Sequence, residues 1–204
     1  MDGTLIWDFF TTFYETAIGF IVGNVAGTVI GLSLWFSKTA FNIAKPYIVV
    51  LGSAPIFALA PLMIVWFGTG VFSKIMMATF STIFIALFQA YSGASDVQKK
   101  HLDLMKSYGA TKMQVFRKIV APSSIVWVMS AFKMNVGFAL LGAFIGEYIS
   151  SNQGLGHLIL VASGLFDISL VLTGIFLMVL IALIMNICIS YLEKPLRNFI
   201  IKTL

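Results

Sequence analysis

The sequence predicts an all-α membrane protein with about five transmembrane helices and a cytoplasmic helix-turn-helix segment. Composition supports this class, because 59% of the 204 residues are hydrophobic, only 10% are charged, and the mean hydropathy is +0.99. Soluble domains contain about 25% charged residues. Long uncharged runs dominate the chain and strand-like alternation is absent, so helices are expected to cross the membrane.

The composition also excludes several kinds of function. With so few solvated residues, the net charge of +5 does not indicate a nucleic-acid partner. The single cysteine, Cys188, lies in an apolar run, and His101 and His157 are too far apart for metal-ligand spacing, so no disulfide or metal site is expected. The chain has no clustered catalytic residues and no GxxxxGK[ST] phosphate loop. We therefore expect a non-enzyme that binds no cofactor of its own and leaves any ATP to a partner.

Five runs are long enough to cross the hydrocarbon core, which requires about 20 apolar residues. They are residues 16–37, 46–67, 75–93, 124–144 and 168–192. The second run ends before Gly68-Thr69-Gly70, and the fourth contains a single charge, Lys133. We expect one transmembrane domain that covers residues 1–204.

The distribution of basic residues predicts the orientation, since Lys and Arg are enriched on the cytoplasmic side. If the segment between the third and fourth runs is cytoplasmic, 11 of the 13 Lys and Arg residues lie inside. These are Lys38, Lys45, Lys99, Lys100, Lys106, Lys112, Arg117, Lys118, Lys194, Arg197 and Lys202. The outside then holds Asp2, Asp8, Glu15 and Asp167. We expect the N-terminus outside and the C-terminus in the cytoplasm.

Residues 95–122 are the one long polar stretch, and their pattern predicts two short helices. Ser95–Gln98 and Thr111–Gln114 both match the capping box that opens a helix. Gly109 is expected to end the first helix in the left-handed conformation, and Pro122 to allow a fresh helix start. One face is basic, and the apolar residues at helical spacing on the other are Leu102, Met105, Tyr108, Met113, Phe116, Ile119 and Val120.

This amphipathic pattern has two readings that the residues alone do not separate. The segment could lie on the inner leaflet, where each basic residue gains about 1 kcal/mol from anionic lipid. Alternatively, its apolar face could enter a groove on a cytoplasmic partner.

The spacing in this segment resembles the signature of the membrane subunits of bacterial ABC importers, which is EAA, three residues, Gly, nine residues, then I-x-L-P. Here it falls on Asp103-Leu104-Met105, Gly109, and Ile119 to Pro122, with Asp-Leu-Met replacing EAA and Ala121 replacing Leu. Blocks within residues 60–74, 109–119 and 146–158 look like the nitrate, sulfonate and taurine branch. The resemblance covers roughly residues 15 to 195.

The resemblance implies a permease with the type I ABC importer fold in the bacterial inner membrane. It would form the pathway for a small solute (nitrate, a sulfonate, taurine or a vitamin precursor) and couple to a separate ATPase through residues 95–122. The implied partners are that ATPase, a second permease copy in a homodimer, and an external solute-binding protein. The implied ATPase-docking residues are Asp103, Leu104, Met105, Gly109, Ala110, Phe116, Ile119 and Pro122.

Two further expectations accompany the resemblance. Members of this family usually have one more N-terminal helix, so a first helix is expected to be missing here. The alternative function is a membrane scaffold, or an uncoupled channel with an inner-leaflet amphipathic helix.

Gly19, Gly23, Gly27 and Gly31 recur at four-residue spacing in the first run. This small-xxx-small pattern predicts close packing against another helix. The partner helix could belong to the same chain or to a second copy across a dimer seam.

Four residues are candidates for the substrate pathway. Pro55 and Pro61 predict either an unwound stretch that lines the pathway or a packing kink. Lys133 and Asn135 are costly inside a span and favour a functional role. Lys133 could instead pair with another residue, or extend its amine toward the cytoplasmic interface.

Three residues near the outer end of the fourth run are candidates for contact with the solute-binding protein. They are Glu147, Asn152 and Gly154, in and beside a polar loop. A solvated helix end would explain Glu147 equally well.

Overall fold

The computed structural model describes the backbone of residues 2–203 and the side chains of residues 5–195. Within this range the chain is helical, without a strand, which confirms the predicted fold class. Asp2, Arg197 and Lys202, which enter the charge prediction, have side chains outside the described residues. The helices are α1 (Asp2–Leu34), α2 (Lys38–Gly52), α3 (Ile56–Phe67), α4 (Val71–Ser95), α5 (Lys99–Ser107), α6 (Lys112–Val115), α7 (Ala121–Ser150), α8 (Leu155–Gly164) and α9 (Ile168–Thr203).

Four helical stretches of the described chain are long and apolar enough to cross a membrane. They are Leu5–Leu34, Val71–Ser95, Lys112–Ser150 and Ile168–Pro195. Helices α2 and α3 meet at 97° and supply a fifth crossing if they form one broken span. Two predicted boundaries are wrong, because the first helix begins well before residue 16 and the second crossing begins at Lys38, not at residue 46.

The first helix begins early because residues before position 16 are part of the core. Phe9 and Phe13 pack against the largest apolar cluster of the bundle. Thr12 and Glu15 are fully buried on the same helix. Asp8 and Glu15, which the charge pattern placed outside, therefore belong to a membrane-length helix.

Helices α1 and α4 run parallel and in close contact along the glycine stripe. A Cβ atom added at Gly19, Gly23, Gly27 or Gly31 would meet α4 atoms at under 3 Å, in order from Ile75 to Leu87. Backbones approach this closely only where side chains are absent. The stripe is therefore a contact within the chain, which answers the question that the sequence left open.

Helix α7 completes the central bundle and runs antiparallel to α4. Gly142 and Gly146 lie against Met77 and Lys74 of α4, while Gly93 near the end of α4 lies against Trp127 near the start of α7. Helix α9 packs on α7 from the other side. Three tightly packed helices thus form the centre of the subunit.

A π-helical turn, Phe116–Val120, joins α6 to α7. Pro122 lies in the first turn of α7, as predicted, although the helical path is continuous from Lys112 to Ser150. Pro122 has no N–H to donate, and its ring would crowd the carbonyl of the preceding turn. The wider turn relieves this, with the N–H of Ala121 donating to the oxygen of Phe116.

The helix directions divide the bundle into two ends with different charge. We call one the acidic end, where α1, α4 and α9 begin and α7 ends; its described Asp, Glu, Lys and His side chains are Asp8, Glu15, Lys74, Glu147, His157 and Asp167. We call the other the basic end; against Asp96, Asp103 and Glu193 it carries Lys38, Lys45, Lys99, Lys100, Lys106, Lys112, Arg117, Lys118 and Lys194. Such asymmetry is what the positive-inside rule describes.

Candidate functional sites

The 95–122 segment forms two short helices joined by a tight turn. Gly109 has φ +72°, and the N–H of Ala110 donates to the oxygen of Met105 at 3.0 Å, which confirms the predicted glycine end of α5. Thr111 and Gln114 form the predicted capping box. The predicted capping box at Ser95 is wrong, because Ser95 is the last residue of α4 and α5 begins at Lys99 without a side-chain cap.

This segment has two apolar faces where the sequence analysis predicted one. The inner face packs on the subunit's own core beside Ala94, and comprises Leu102, Met105, Ala110, Val115 and Phe116. The outer face exposes Leu104 (53%), Tyr108 (79%) and Met113 (47%). The amphipathic pattern thus combines a core contact with a separate exposed patch.

The implied docking residues divide between these two faces. Asp103, Leu104 and Gly109 are exposed and accessible to a partner, whereas Met105, Ala110 and Phe116 are turned inward. Ile119 and Pro122 are half-buried near the start of α7. In this conformation Met105, Ala110 and Phe116 pack the segment against the subunit's own core. Tyr108 and Met113, which are not among the implied docking residues, are exposed on the outer face.

Lys112 contacts the residues that follow α1 and so links the 95–122 segment to that helix. Its Nζ donates to the backbone oxygen of Phe36 at 2.5 Å and lies 5.6 Å from the ring centroid of Trp35. The rings of Phe36 and Phe116 are 4.8 Å apart between centroids. A cation over aromatic rings adds about 0.5–1 kcal/mol at an exposed site.

A buried polar cluster joins α1, α7 and α8 at the acidic end. The carboxylate of Glu147 accepts hydrogen bonds from Thr12 Oγ1 at 2.6 Å and from the N–H of Gly156 at 2.7 Å. Thr12 Oγ1 in turn accepts from the N–H of Leu155 at 2.8 Å. Two otherwise unsatisfied N–H groups at the start of α8 thus receive acceptors.

These contacts correct the prediction for Glu147. Its side chain is fully buried, so it neither forms a solvated helix end nor offers a surface to an external protein in this conformation. Gly154 has φ +100°, and a Cβ there would overlap the Glu147 carboxyl group. Of the three candidates only Asn152 is exposed.

Lys74 and Glu15 complete the buried cluster. Lys74 Nζ donates to the backbone oxygens of Thr69 and of Ser150, the latter at 2.9 Å. The turn before α4 is thereby tied to the end of α7. Glu15 is also fully buried near Glu147 and Lys74, and its Oε2 has no hydrogen-bond partner among the described residues. Lys74 is not part of a described ion pair, because its amine is bound by the two backbone oxygens.

Asn135 lies in the centre of the three-helix core. Its Nδ2 donates to Asn24 Oδ1 at 2.7 Å and to the backbone oxygen of Thr82 at 3.1 Å. The side chain is fully buried, so in this conformation it links α1, α4 and α7 and lines no open pathway.

Lys133 is paired within the chain. Its Nζ lies 2.5 Å from Glu193 Oε2 on α9, and both side chains are partly exposed. Of the readings that the sequence left open, the structure thus shows pairing. Glu193 lies near the basic end, which is the direction in which the amine was expected to extend.

The break between α2 and α3 opens onto two adjoining cavities, which we call the elbow cavity. Their volumes are about 320 and 260 Å³, and both are lined by Gly52, Ser53 and Phe84. Pro55 lies at the break and lines the second cavity, whereas Pro61 is inside α3 and lines neither. From α7 the lining residues are Met134, Phe138 and Leu141, and the predicted Asn135 is not among them.

The sequence analysis missed most of the buried polar residues. Thr12 and Glu147 are 135 positions apart, and no periodic pattern connects them. A usable signal was present at Glu15, since an ionisable residue that follows Phe9 and Phe13 on one helix is expensive in a membrane. Lys74, as the one cation expected outside, was a second such signal.

Comparisons with known proteins identify the family. A model of the family described as "Binding-protein-dependent transport system inner membrane component" matches residues 23–198. A probable ABC transporter permease protein of Haemophilus influenzae is 29% identical over 89% of this chain and 74% of its own length. The putative aliphatic sulfonates transport permease protein SsuC of Bacillus subtilis is 25% identical over 98% of this chain and 72% of its own.

Two further comparisons agree with these. The taurine transport system permease protein TauC of Escherichia coli is 24% identical over 96% of this chain and 71% of its own length. A chain of the MetNI methionine ABC transporter superposes with a TM-score of 0.83 at 15% identity, over 95% of this chain and 96% of that one, which shows the shared fold. The chain belongs to the family of inner membrane components of binding-protein-dependent transport systems.

Proposed function

We propose that this permease forms the pathway of an ATP-driven importer for a small solute and couples to a separate ATPase through residues 95–122. The observation that carries the proposal is the exposed patch of Leu104, Tyr108 and Met113. It lies on a segment whose other apolar face is already used by the subunit's own core. Exposed apolar residues grouped in this way and flanked by polar ones are typical of protein interaction sites.

The shape of the patch favours a protein groove over a lipid surface. Tyr108 projects at the turn itself, beside Gly109, and the exposed, negatively charged Asp103 lies 4.0 Å from Lys106 Nζ. A helix on anionic lipid would be expected to present cations around its apolar face without such a charge. The basic residues around the segment remain free to contact the membrane at its edges.

The elbow cavity supports the assignment of a pathway between permease copies. Ser53 and Ala54 interrupt the helix beside Phe84, in the middle of the membrane-length helix α4. Irregular backbone is tolerated at membrane depth only where it is buried in protein or lines a water-filled cavity. We propose that this face borders the translocation pathway and meets a second copy of the chain in a homodimer.

The remaining parts of the proposal follow from charge and family. The basic end is cytoplasmic and the acidic end external, so the N-terminus is outside and the C-terminus inside. ATP is bound by the separate ATPase, and an external solute-binding protein delivers the solute. Of the named relatives, SsuC and TauC are described as permeases for aliphatic sulfonates and for taurine, which favours a solute of similar size.

The test compares two exposed tyrosines at the basic end. Tyr108→Ala removes the proposed anchor, while Tyr191→Ala removes a tyrosine of similar exposure (68%) on α9. We expect Tyr108→Ala to lower co-purification of the ATPase and solute uptake by about tenfold, as for an interface hot spot of about 1.4 kcal/mol. Tyr191→Ala should retain both.

Two results would contradict the proposal. If no ATPase co-purifies with the wild-type permease, the chain is better explained as a membrane scaffold or an uncoupled channel. If Tyr108→Ala and Tyr191→Ala both couple and transport normally, the ATPase docks elsewhere.

A further inference from the structure

A cleft at the acidic end lies between the first turns of α1, the loop that precedes α8, and α8 itself. Its volume is about 450 Å³, and apolar walls from Trp7, Leu158 and Val161 surround the polar groups of Asp8, Asn152, Gln153 and His157. Trp7 is 74% exposed, and Asn152 and Gln153 are exposed as well. The cleft therefore combines an accessible indole ring, a carboxylate and two amides.

The walls of the cleft are held in place by hydrogen bonds that leave these groups available. The N–H of Gly154 donates to Asp8 Oδ1 at 2.7 Å, which ties the loop to α1. Ser151 Oγ donates to the backbone oxygen of Gln153 at 2.7 Å and shapes the turn. The second Asp8 oxygen has no hydrogen-bond partner among the described residues. A site preorganised in this way binds without first ordering its own loops.

The buried cluster beneath the cleft fixes its floor. Thr12 and Glu147 hold the N–H groups of Leu155 and Gly156, the two residues that follow the loop. Lys74 holds the backbone of Ser150, the residue before it. The loop of Ser151 to Gly154 is thus anchored on both sides to the membrane-length helices.

The charge around the cleft determines what it can accept. Among the described side chains of the acidic end, the carboxylates that reach the surface are the half-buried Asp8 and the exposed Asp167, and the one lysine, Lys74, is fully buried. His157 is half-buried in the wall of the cleft. A guanidinium or ammonium group would find the Asp8 carboxylate, the amide oxygens and the Trp7 ring within one cleft. Among side chains, the indole ring of tryptophan makes the strongest cation–π interactions. Charge complementarity between two surfaces also orients an approaching partner.

We propose that this cleft receives a lysine or arginine side chain from the docking face of the solute-binding protein. The proposal rests on the proposed function, since it requires the acidic end to be external. It identifies the face of the partner as basic, opposite in sign to the accessible charge of the permease. Trp7 and Asp8 then contribute both affinity and orientation to docking.

The test uses the permease assembled with its ATPase in lipid nanodiscs. The probe is the purified solute-binding protein that restores solute uptake to vesicles containing this transporter. Asp8→Asn removes the negative charge but keeps an oxygen for the Gly154 N–H. Asp167→Asn is the matched control, because it removes the same charge at the same end and keeps an oxygen for the N–H of Leu170.

We expect Asp8→Asn to raise the Kd of the solute-binding protein about tenfold at low salt, and Trp7→Leu to raise it about threefold. Asp167→Asn should stay within about twofold of wild type, because Asp167 does not line the cleft. The Kd of wild type should rise with ionic strength more steeply than that of Asp8→Asn, since salt screens the lost charge contact.

Separate results overturn the cleft and the importer assignment. Two results would overturn the cleft proposal: an unchanged affinity of Asp8→Asn for the solute-binding protein, or an equal loss of affinity in Asp8→Asn and Asp167→Asn. If these variants still take up solute normally, the proposed function stands. If no solute-binding protein restores uptake to vesicles containing the wild-type transporter, both fail.

Discussion

Gly23 of α1 lies directly against Thr82 of α4, with no room for a side chain between them. A Cβ at position 23 would overlap Thr82 Oγ1 and lie 2.7 Å from the backbone oxygen of Thr79. Gly19, Gly27 and Gly31 make equivalent contacts along the same stripe. The α1–α4 contact is therefore limited by backbone, which cannot move aside as a flexible side chain would.

Gly23→Ala should destabilise the subunit by about 1–3 kcal/mol, because overpacking forces the two backbones apart. Gly137→Ala on α7 is the control, since a Cβ there meets nothing within 4 Å. Thermal unfolding of both variants in detergent would measure the difference. Equal unfolding temperatures would show that α1 can shift on α4 without cost.

Lys74→Met should destabilise the subunit, by about 1–3 kcal/mol for each of the backbone oxygens of Thr69 and Ser150 that loses its donor. Glu15→Gln in the Lys74→Met background should recover part of that loss, because it removes an ionisable group that is fully buried. The yield and unfolding temperature of the purified variants would report both effects. A Lys74→Met variant as stable as wild type would mean that the cluster does not need its cation.

The Asn24–Asn135 hydrogen bond can be isolated by a double-mutant cycle of the two alanine variants. Interhelical hydrogen bonds in membrane proteins contribute about 0.6 kcal/mol on average and at most about 1.7 kcal/mol. We expect a coupling energy in this range, since the bond is fully buried and 2.7 Å long. Additive losses in the two single variants would show that the amides act independently.

The Lys133–Glu193 pair should contribute less than about 1 kcal/mol, because both side chains are partly exposed. Lys133→Ala and Glu193→Ala should therefore unfold within a few degrees of wild type. Solute uptake by Lys133→Ala gives a second measurement. A large loss of uptake with unchanged stability would favour the pathway role that the sequence suggested for Lys133.

The helices were predictable because long apolar runs determine them, but their contacts were not. The residues of the glycine stripe could be identified from spacing alone, whereas their partner on α4 depends on how two distant segments align. Local signals such as the Thr111 capping box and Gly109 were reliable because they involve neighbours in sequence. The Ser95 capping box failed because Ser95 is the last residue of α4 and the next helix begins only at Lys99.

The misassigned residues show two further limits of pattern reasoning. Helical spacing placed Met105, Tyr108 and Phe116 on one apolar face, but the structure turns Met105 and Phe116 inward and Tyr108 outward. On α7, a rotation of about 100° per residue separates the buried Asn135 from its neighbour Met134 at the cavity. Hydrophobicity cannot distinguish a face that meets the core from one that meets a partner.

The attachment of Lys112 to Phe36 has a mechanical consequence. A displacement of Tyr108 is transmitted to α1 through the hydrogen bond between Lys112 and Phe36. The close backbone contacts along the glycine stripe then transmit it from α1 to α4. Helices α2 and α3 contribute few buried residues, among them Phe41, Ile48 and Met63. We therefore expect the three-helix core to move as a stiff unit and the bend at Ser53 to be the compliant point, so that work done at one end changes the width of the elbow cavity.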